Sequence, residues 1–114
     1  MTGIVGNTSN TLNTPRGIKL DYMYTLFIAD FRNARIQKYP RGAINGTTIA
    51  GNGSSTATPN QVGGPSDLVL DANDNMYIAD LGNSRVQFWK NGATYGTTVA
   101  GNSTGEIFIF IEIM

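Results

Sequence analysis

The chain has 114 residues and a formal net charge of zero, with charged side chains at only 14% of its positions. This balance excludes the overall basic character of a typical nucleic-acid-binding domain, and the lack of cysteine and histidine excludes disulfides, thiolate metal sites and histidine-based catalysis. The apolar run at residues 107–111 is far shorter than the about 20 residues of a transmembrane helix, so no membrane span is predicted.

An internal repeat of fifty residues organises the chain. When residues 15–52 are set against residues 65–102 without a gap, 17 of the 38 positions are identical. Several of the remaining pairs keep their apolar character, such as Phe27 with Tyr77. A repeat of this length is typical of architectures in which similar units stack on one another.

Each repeat is predicted to contain four short strands, because β-prone runs alternate with turn residues at intervals too short for helices. In the second copy the predicted strands are residues 68–71, 76–80, 85–89 and 97–101. Residues 71–75 supply a tight turn of Asp and Asn side chains, whereas residues 22–25 specify the same turn less well. A four-stranded antiparallel meander in tandem copies is the blade of a β-propeller, so the predicted fold class is all-β.

The repeat divides the chain into four parts. Residues 1–14 are predicted to be the last strand of a preceding blade plus its connection, because residues 2–7 match residues 47–52. Residues 15–64 form the first blade with its connection, and residues 65–105 form the second blade. Residues 106–114 match nothing earlier in the chain and are predicted to be a non-repeat apolar tail.

The motifs of both copies resemble the NHL repeat. Each copy begins with Pro-x-x-[Ile/Leu]-x-Leu-Asp, continues with an apolar-Ile-Ala-Asp strand and then reads Asn-x-Arg-[Ile/Val]-Gln. The histidine of the family name is replaced by Ala34 in the first copy and by Ser84 in the second. The resemblance implies a partial propeller of NHL type, in which about six blades close a ring.

Two blades alone would leave apolar faces and sheet edges open for contact. Further blades from a longer chain, or self-association, are therefore predicted. Residues 15–64 carry six basic and two acidic side chains, whereas residues 65–114 carry two basic and six acidic ones. Such halves would attract each other head to tail. Large side chains of the strands are predicted to supply the packing: Phe27, Ile28, Ile36, Leu68, Leu70, Tyr77, Ile78, Val86 and Trp89.

Two acid-base pairs occupy equivalent places in the copies. Asp30 with Arg35 and Asp80 with Arg85 flank the second hairpin turn, at a spacing that lets carboxylate and guanidinium meet. A ligand clamp would use the same residue types, but their presence in both copies predicts a structural brace of the blade.

The segment Asp71-x-Asn73-x-Asn75 has the spacing with which calcium-binding loops begin. The sixth position is Met76 where such a loop needs Gly, and the twelfth is Gly82 where it needs Glu. A hairpin turn is therefore predicted here, and no metal or other cofactor is expected anywhere in the chain.

Connections of a meander alternate between its two rims, and loops at a rim are where binding residues concentrate. The turns at 30–34 and 80–84 share one rim, called the first rim, and the turns at 21–25 and 71–75 lie on the second rim. The candidate ligand-facing residues are those at which the two copies differ on the first rim: Arg16, Phe31, Arg32, Ser66, Asp67 and Leu81.

These observations predict a non-catalytic binding or scaffold module that contacts a protein or a small ligand. An alternative is an RNA-binding or substrate-recognition part of a ubiquitin ligase similar to the tripartite-motif class, because basic and aromatic residues are frequent in the first blade. A third reading is a propeller enzyme similar to the amidating lyase or to lactonases. The lyase resemblance would imply histidine metal ligands, which this chain lacks.

Overall fold

The computed structural model describes residues 3–53 and 61–101, and they form two four-stranded antiparallel sheets. The first sheet consists of β1 (Pro15–Leu20), β2 (Leu26–Asp30), β3 (Arg35–Tyr39) and β4 (Thr47–Gly51). The second consists of β5 (Pro65–Leu70), β6 (Met76–Asp80), β7 (Arg85–Trp89) and β8 (Thr97–Gly101). The strands of each sheet lie in chain order. The prediction of an all-β chain with two four-stranded meanders is confirmed.

Helical structure in the described residues is limited to two single turns of 3-10 helix, Phe31–Asn33 and Leu81–Asn83. Neither turn has the length and apolar character needed to cross a membrane. The strands β6, β7 and β8 have the predicted bounds, whereas β5 begins earlier because Pro65 already pairs with Asp80. The predicted apolar tail, residues 106–114, lies outside the described residues.

An aspartate closes the first hairpin of each sheet. Asp71 Oδ1 accepts hydrogen bonds from the backbone N–H groups of Asn73 at 2.9 Å and Asn75 at 3.0 Å. In the first sheet Asp21 Oδ1 accepts the two equivalent bonds at 2.9 Å each. The turn that looked less well specified therefore has the same geometry, even though it holds Tyr24 at φ 64°, a conformation that bulky residues rarely adopt.

The strand predicted near the start of the chain is not formed in residues 3–14. This segment makes one isolated bridge, between Val5 and Leu12, because no strand of the described chain lies beside it to complete a ladder. It runs instead along the first sheet, where the Tyr39 hydroxyl donates to the Ser9 carbonyl at 3.0 Å. The Gly46 N–H donates to the same carbonyl at 2.6 Å.

The two sheets pack face to face. Side chains alternate along a strand, so Phe27 and Ile36 lie on one face of the first sheet, here called its forward face. Leu68 and Ile78 lie on the opposite, rear face of the second sheet. These side chains form one buried cluster with Ala29, Ala50, Val62, Met76 and Trp89. Burial of each large apolar side chain contributes roughly 1.5–3 kcal/mol, so this cluster holds the sheets together.

Seven of the nine residues predicted to supply packing are buried: Phe27, Ile28, Ile36, Leu68, Ile78, Val86 and Trp89. Leu70 and Tyr77 are half-buried. Tyr77 lies on the forward face of the second sheet, against which no other sheet of the described chain packs. Val62 is completely buried although it precedes β5, a burial that strand periodicity alone does not predict.

A glycine accommodates the aromatic residue at the end of each third strand. A Cβ atom at Gly96 would overlap the indole ring of Trp89, and one at Gly46 would lie 2.7 Å from the ring of Tyr39. The indole Nε1 of Trp89 donates to Gln87 Oε1 at 3.1 Å. Each glycine therefore allows the backbone before the fourth strand to pack directly against the aromatic ring of the third strand.

Candidate binding site

The first rim consists of the second hairpin turn of each sheet and the chain that enters that sheet. The Arg32 N–H donates to the Asn13 carbonyl at 3.1 Å, and the Leu81 N–H donates to the Gly64 carbonyl at 2.9 Å. The ring of Phe31 lies against Gly64, since a Cβ atom there would be 3.0 Å from the ring. The turn of the first sheet therefore touches the entry to the second.

Each turn on the first rim ends in a residue of left-handed conformation. After Phe31–Asn33 this residue is Ala34, at φ 49°, and its N–H donates to the carbonyl of Phe31. After Leu81–Asn83 it is Ser84, at φ 53°. Because β-branched and other bulky side chains tolerate this conformation poorly, the small side chains of Ala34 and Ser84 suit this position.

Asp30 and Arg35 form a buried ion pair beneath the first of these turns. Arg35 Nε donates to Asp30 Oδ2 at 2.7 Å. The same two side chains also hold the entering chain, since Asp30 Oδ1 accepts a hydrogen bond from the Asn13 N–H at 2.8 Å. The guanidinium group donates to three carbonyls within residues 7–11, at 2.8–3.0 Å.

Asp80 and Arg85 repeat this arrangement in the second sheet. Arg85 Nε donates to Asp80 Oδ2 at 2.8 Å, and Arg85 Nη2 donates to the Gln61 carbonyl at 2.7 Å. Asp80 Oδ1 accepts hydrogen bonds from Gly63 and Gly64 at 2.8 and 3.1 Å. The four residues predicted as a brace are thus brought together in two equivalent pairs, and each pair ties a sheet to the chain that precedes it.

Arg16 lies over the ring of Phe31, with its Cζ atom 3.9 Å from the ring centroid. This distance is that of a cation–π contact. The register of the ladder shifts between Pro15 and Gly17, and such a bulge commonly redirects a side chain. Arg32 follows Phe31 and is exposed. We call Arg16, Phe31 and Arg32 the rim cluster; it combines one guanidinium group stacked on an aromatic ring with the exposed arginine that follows the ring in the chain.

The second sheet contributes less to this surface. The hydroxyl of Ser66 donates to the Ala79 carbonyl at 3.5 Å. Asp67 forms an ion pair with Lys19 at 3.5 Å, so its carboxylate links the two sheets. Leu81 is exposed on the first rim. Of the six predicted residues, the rim cluster and Leu81 therefore lie on the first rim, whereas Ser66 and Asp67 make contacts between strands or sheets.

A polar cleft of about 480 Å³ adjoins the rim cluster. Its lining includes Arg32 and Arg35 together with Asn7, Asn33 and Asn52. No carboxylate belongs to its lining among the described residues. Because the charge of Arg35 is paired with a buried aspartate, Arg32 supplies the positive charge that a ligand in the cleft would meet.

The second rim carries a feature that sequence reasoning missed. Tyr22, Met23 and Tyr24 are all strongly exposed, and Arg41 Cζ lies 5.2 Å from the ring centroid of Tyr24. The difference between the copies could have revealed it, because the equivalent residues 72–75 of the second copy are small or polar. The first turn of the first sheet therefore presents an aromatic surface that the second sheet lacks.

Three aspartates of the second rim have shifted pKa values. Burial raises the pKa of Asp74, and the nearby carboxyl of Asp21 raises it further. Burial also acts to raise the pKa of Asp21, but hydrogen bonds from the Thr25 backbone and other neighbours outweigh it and lower the value. The side-chain hydrogen bond from Asn75, at 2.9 Å, lowers the pKa of Asp71. Asp74 thus takes up a proton before the other two as the pH falls.

Within residues 3–53 and 61–101, no three side chains of His, Cys, Asp or Glu are grouped so that they could hold a metal ion. Comparison with known proteins finds no matching family model and no curated protein of significant similarity. Membership of the NHL family therefore stays a proposal that rests on the motifs of the two repeats.

Proposed function

We propose that the chain is a non-catalytic binding module made of NHL-type propeller blades, and that its rim cluster binds an acidic segment of a protein partner. The observation that carries this proposal is the stacking of Arg16 on Phe31 beside the exposed Arg32. The adjoining cleft has no carboxylate among its described lining residues, so nothing there competes with an incoming acidic group.

The choice of these residues follows from what the other charged groups do. Asp30 and Arg35 bond to each other and to the entering backbone, and both are buried. Arg16 and Arg32 are exposed, and a guanidinium group can bind a carboxylate through two parallel hydrogen bonds. Arginines at the surface of the first rim are therefore the groups best suited to meet a partner.

The apolar neighbours of the rim cluster support a protein partner. Leu81 is exposed on the same rim, and Phe31 lies at the boundary between the two sheets against Gly64. Arginine and aromatic side chains are frequent among the residues that dominate the energy of protein interfaces. A partner segment in which carboxylates flank an apolar side chain would match this combination.

Single-stranded RNA is a second candidate, favoured by the contact between Arg16 and Phe31. Bases commonly stack on aromatic rings or on guanidinium planes. Here one side of the Phe31 ring is covered by Arg16 and the ring also lies against Gly64, which leaves less of the ring surface for a base. This arrangement favours carboxylate binding over base stacking.

Fluorescence anisotropy with two labelled probes tests the proposal: a peptide of Glu-Glu-Leu repeats and an oligouridine. We expect the peptide to bind more tightly than the oligouridine, and its affinity to fall as salt screens the charges. The double variant Arg16→Ala/Arg32→Ala should bind the peptide at least about tenfold more weakly, because a charge-assisted hydrogen bond contributes about 1.5–3 kcal/mol.

Arg41→Ala is the matched control, because it removes a positive charge from the second rim and should leave peptide binding unchanged. An equal loss in the control would show non-specific attraction and contradict the proposal. Tighter binding of the oligouridine, lost in the double variant, would favour the second candidate. Lack of binding to both probes would contradict both.

A further inference from the structure

Each sheet has a forward and a rear face. Within the chain, the forward face of the first sheet packs against the rear face of the second. The rear face of the second sheet is covered by the first sheet, and Leu68 there is completely buried. On the rear face of the first sheet the equivalent residue Ile18 is 62% exposed, and Leu20 is 58% exposed. Both Leu68 and Ile18 pair with an isoleucine of the next strand. The difference in exposure therefore follows from the covering sheet.

Residues 3–14 cover only part of this open rear face. They contact β3 and the connection that follows it, where Tyr39 is buried and its hydroxyl donates to Ser9. They leave the edge strand β1 uncovered, with Ile18 and Leu20 exposed. We call these two residues with the buried Ile28 beside them the open apolar patch. The equivalent patch on the rear face of the second sheet is covered by the first sheet.

The forward face of the second sheet has the side chains that such a contact needs. Tyr77 and Phe88 lie there with ring centroids 5.0 Å apart, and both are half-buried. In the first sheet the place of Phe88 is taken by Lys38 and the place of Val69 by Lys19. The forward face of the second sheet is thus the more apolar of the two, which suits contact with the open apolar patch.

The charges of the described residues favour a head-to-tail contact. Residues 15–53 carry six basic and two acidic side chains, and residues 61–101 carry two basic and four acidic ones. A contact between the first sheet of one copy and the second sheet of another brings opposite net charges together. A symmetric contact between two first sheets would bring like charges together, which is unfavourable.

We propose that a second copy of this chain occupies the rear face of the first sheet, using the forward face of its own second sheet. Successive sheets would then stack across copies as they stack within one chain, in a heterologous arrangement that can continue or close on itself. The proposal does not depend on the function proposed for the rim cluster, which concerns the first rim and not a sheet face.

Two variants of the full chain each remove one half of the contact. Ile18→Lys with Leu20→Lys changes the open apolar patch at exposed positions. Val69→Lys with Phe88→Lys gives the second sheet the side chains that the first sheet already has at those places, so the fold should accept them. In the proposed contact the lysine at position 69 would face Gly17 of the other copy, where the contact inside the chain offers Asp67 to Lys19.

Sedimentation velocity tests the proposal. We expect the mass of the unmodified chain to rise with concentration above 12.2 kDa, and each variant alone to stay at that mass in the micromolar range. A mixture of the two variants should form a complex of one copy each, because each still has the half that the other lacks. The complex cannot grow further, so its mass should be twice 12.2 kDa.

Ile44→Lys with Tyr95→Lys is the control, because both residues are exposed but lie in the β3–β4 and β7–β8 connections; it should associate like the unmodified chain. Circular dichroism establishes that each variant keeps its sheets. An unmodified chain that stays monomeric overturns the proposal. It is equally overturned by association that persists in both variants, or by a mixture that forms no complex.

Discussion

Arg85 donates a hydrogen bond from Nε to Oδ2 of Asp80 at 2.8 Å, and both side chains are buried. We predict that Asp80→Ala lowers the free energy of unfolding by about 3–5 kcal/mol, because it leaves a buried guanidinium charge without its partner. Urea unfolding followed by the fluorescence of Trp89 measures the change. Asp67→Ala is the control, since it breaks a partly exposed ion pair and should cost less than about 1 kcal/mol; equal costs would contradict the prediction.

Leu68 and Ile18 occupy equivalent register positions but differ in burial. Leu68→Ala should cost about 2–5 kcal/mol of unfolding free energy, because it leaves a cavity between the sheets. Ile18→Ala should cost less than about 1 kcal/mol in dilute solution, since most of that side chain is already in water. Denaturant midpoints for the two variants, measured side by side, would disprove the face-to-face packing if Ile18→Ala proved the more harmful.

Gly96→Ala should destabilise the second sheet by about 1–3 kcal/mol, because the new methyl group overlaps the indole ring of Trp89 and the packed core has no room for it. In the background Trp89→Phe the ring is smaller, so the same substitution should cost less. A double-mutant cycle followed by circular dichroism gives the coupling between the two positions. Costs that simply add would show that the contact between glycine and ring is unimportant.

Asp71 and Asp74 lie in one turn and should respond to pH with opposite signs. The folded pKa of Asp71 is below 3.8 because Asn75 donates a hydrogen bond to it, so its stabilising contribution is present above pH 3.8 and lost as the pH falls through the folded pKa. Asp71→Asn should therefore lower the melting temperature at neutral pH and reduce the loss of stability in acid.

The folded pKa of Asp74 is above 3.8 because of burial and the nearby Asp21 carboxyl. Ionised Asp74 therefore destabilises the fold at neutral pH, and protonation removes this effect as the pH falls through the raised pKa. Asp74→Asn should raise the melting temperature at neutral pH, with a gain that shrinks in acid. Melting curves recorded from about pH 7 to about pH 3 follow both variants; a gain independent of pH would point to the backbone conformation of residue 74 instead of its charge.

The strands were predictable because their signals are local. Alternating apolar residues and turn residues recur in both copies, so the bounds of β6, β7 and β8 agree with the pattern. The ion pair of Asp80 with Arg85 was predictable, but its backbone partners were not, because Gly63 and Gly64 bind it through N–H groups that any residue carries. The contact of Arg16 with Phe31 depends on a bulge, and residue types alone do not reveal a bulge at that position.

The turn at residues 21–25 is better defined than its sequence predicted. Its tyrosines and methionine suggested a poorly defined connection, since aromatic residues seldom favour tight turns. The Asp21 carboxylate accepts two hydrogen bonds across the turn, and the Asp21 backbone makes two more. The neighbours of Asp21 are then free to be large and exposed. Asp21 thus determines the conformation of the turn, whereas residues 22–24 form its exposed surface.

The brace of each sheet reaches backwards along the chain. Arg85 binds the carbonyl of Gln61, and Asp80 binds the N–H of Gly63. A fifty-residue cassette cut at Pro65 would carry the buried ion pair but leave these backbone groups behind. A cassette cut before Gln61, four residues earlier, would carry them along. A unit for grafting or duplicating the second repeat should therefore begin before the sheet itself begins. Its buried charges keep their backbone hydrogen bonds only when this earlier boundary is used.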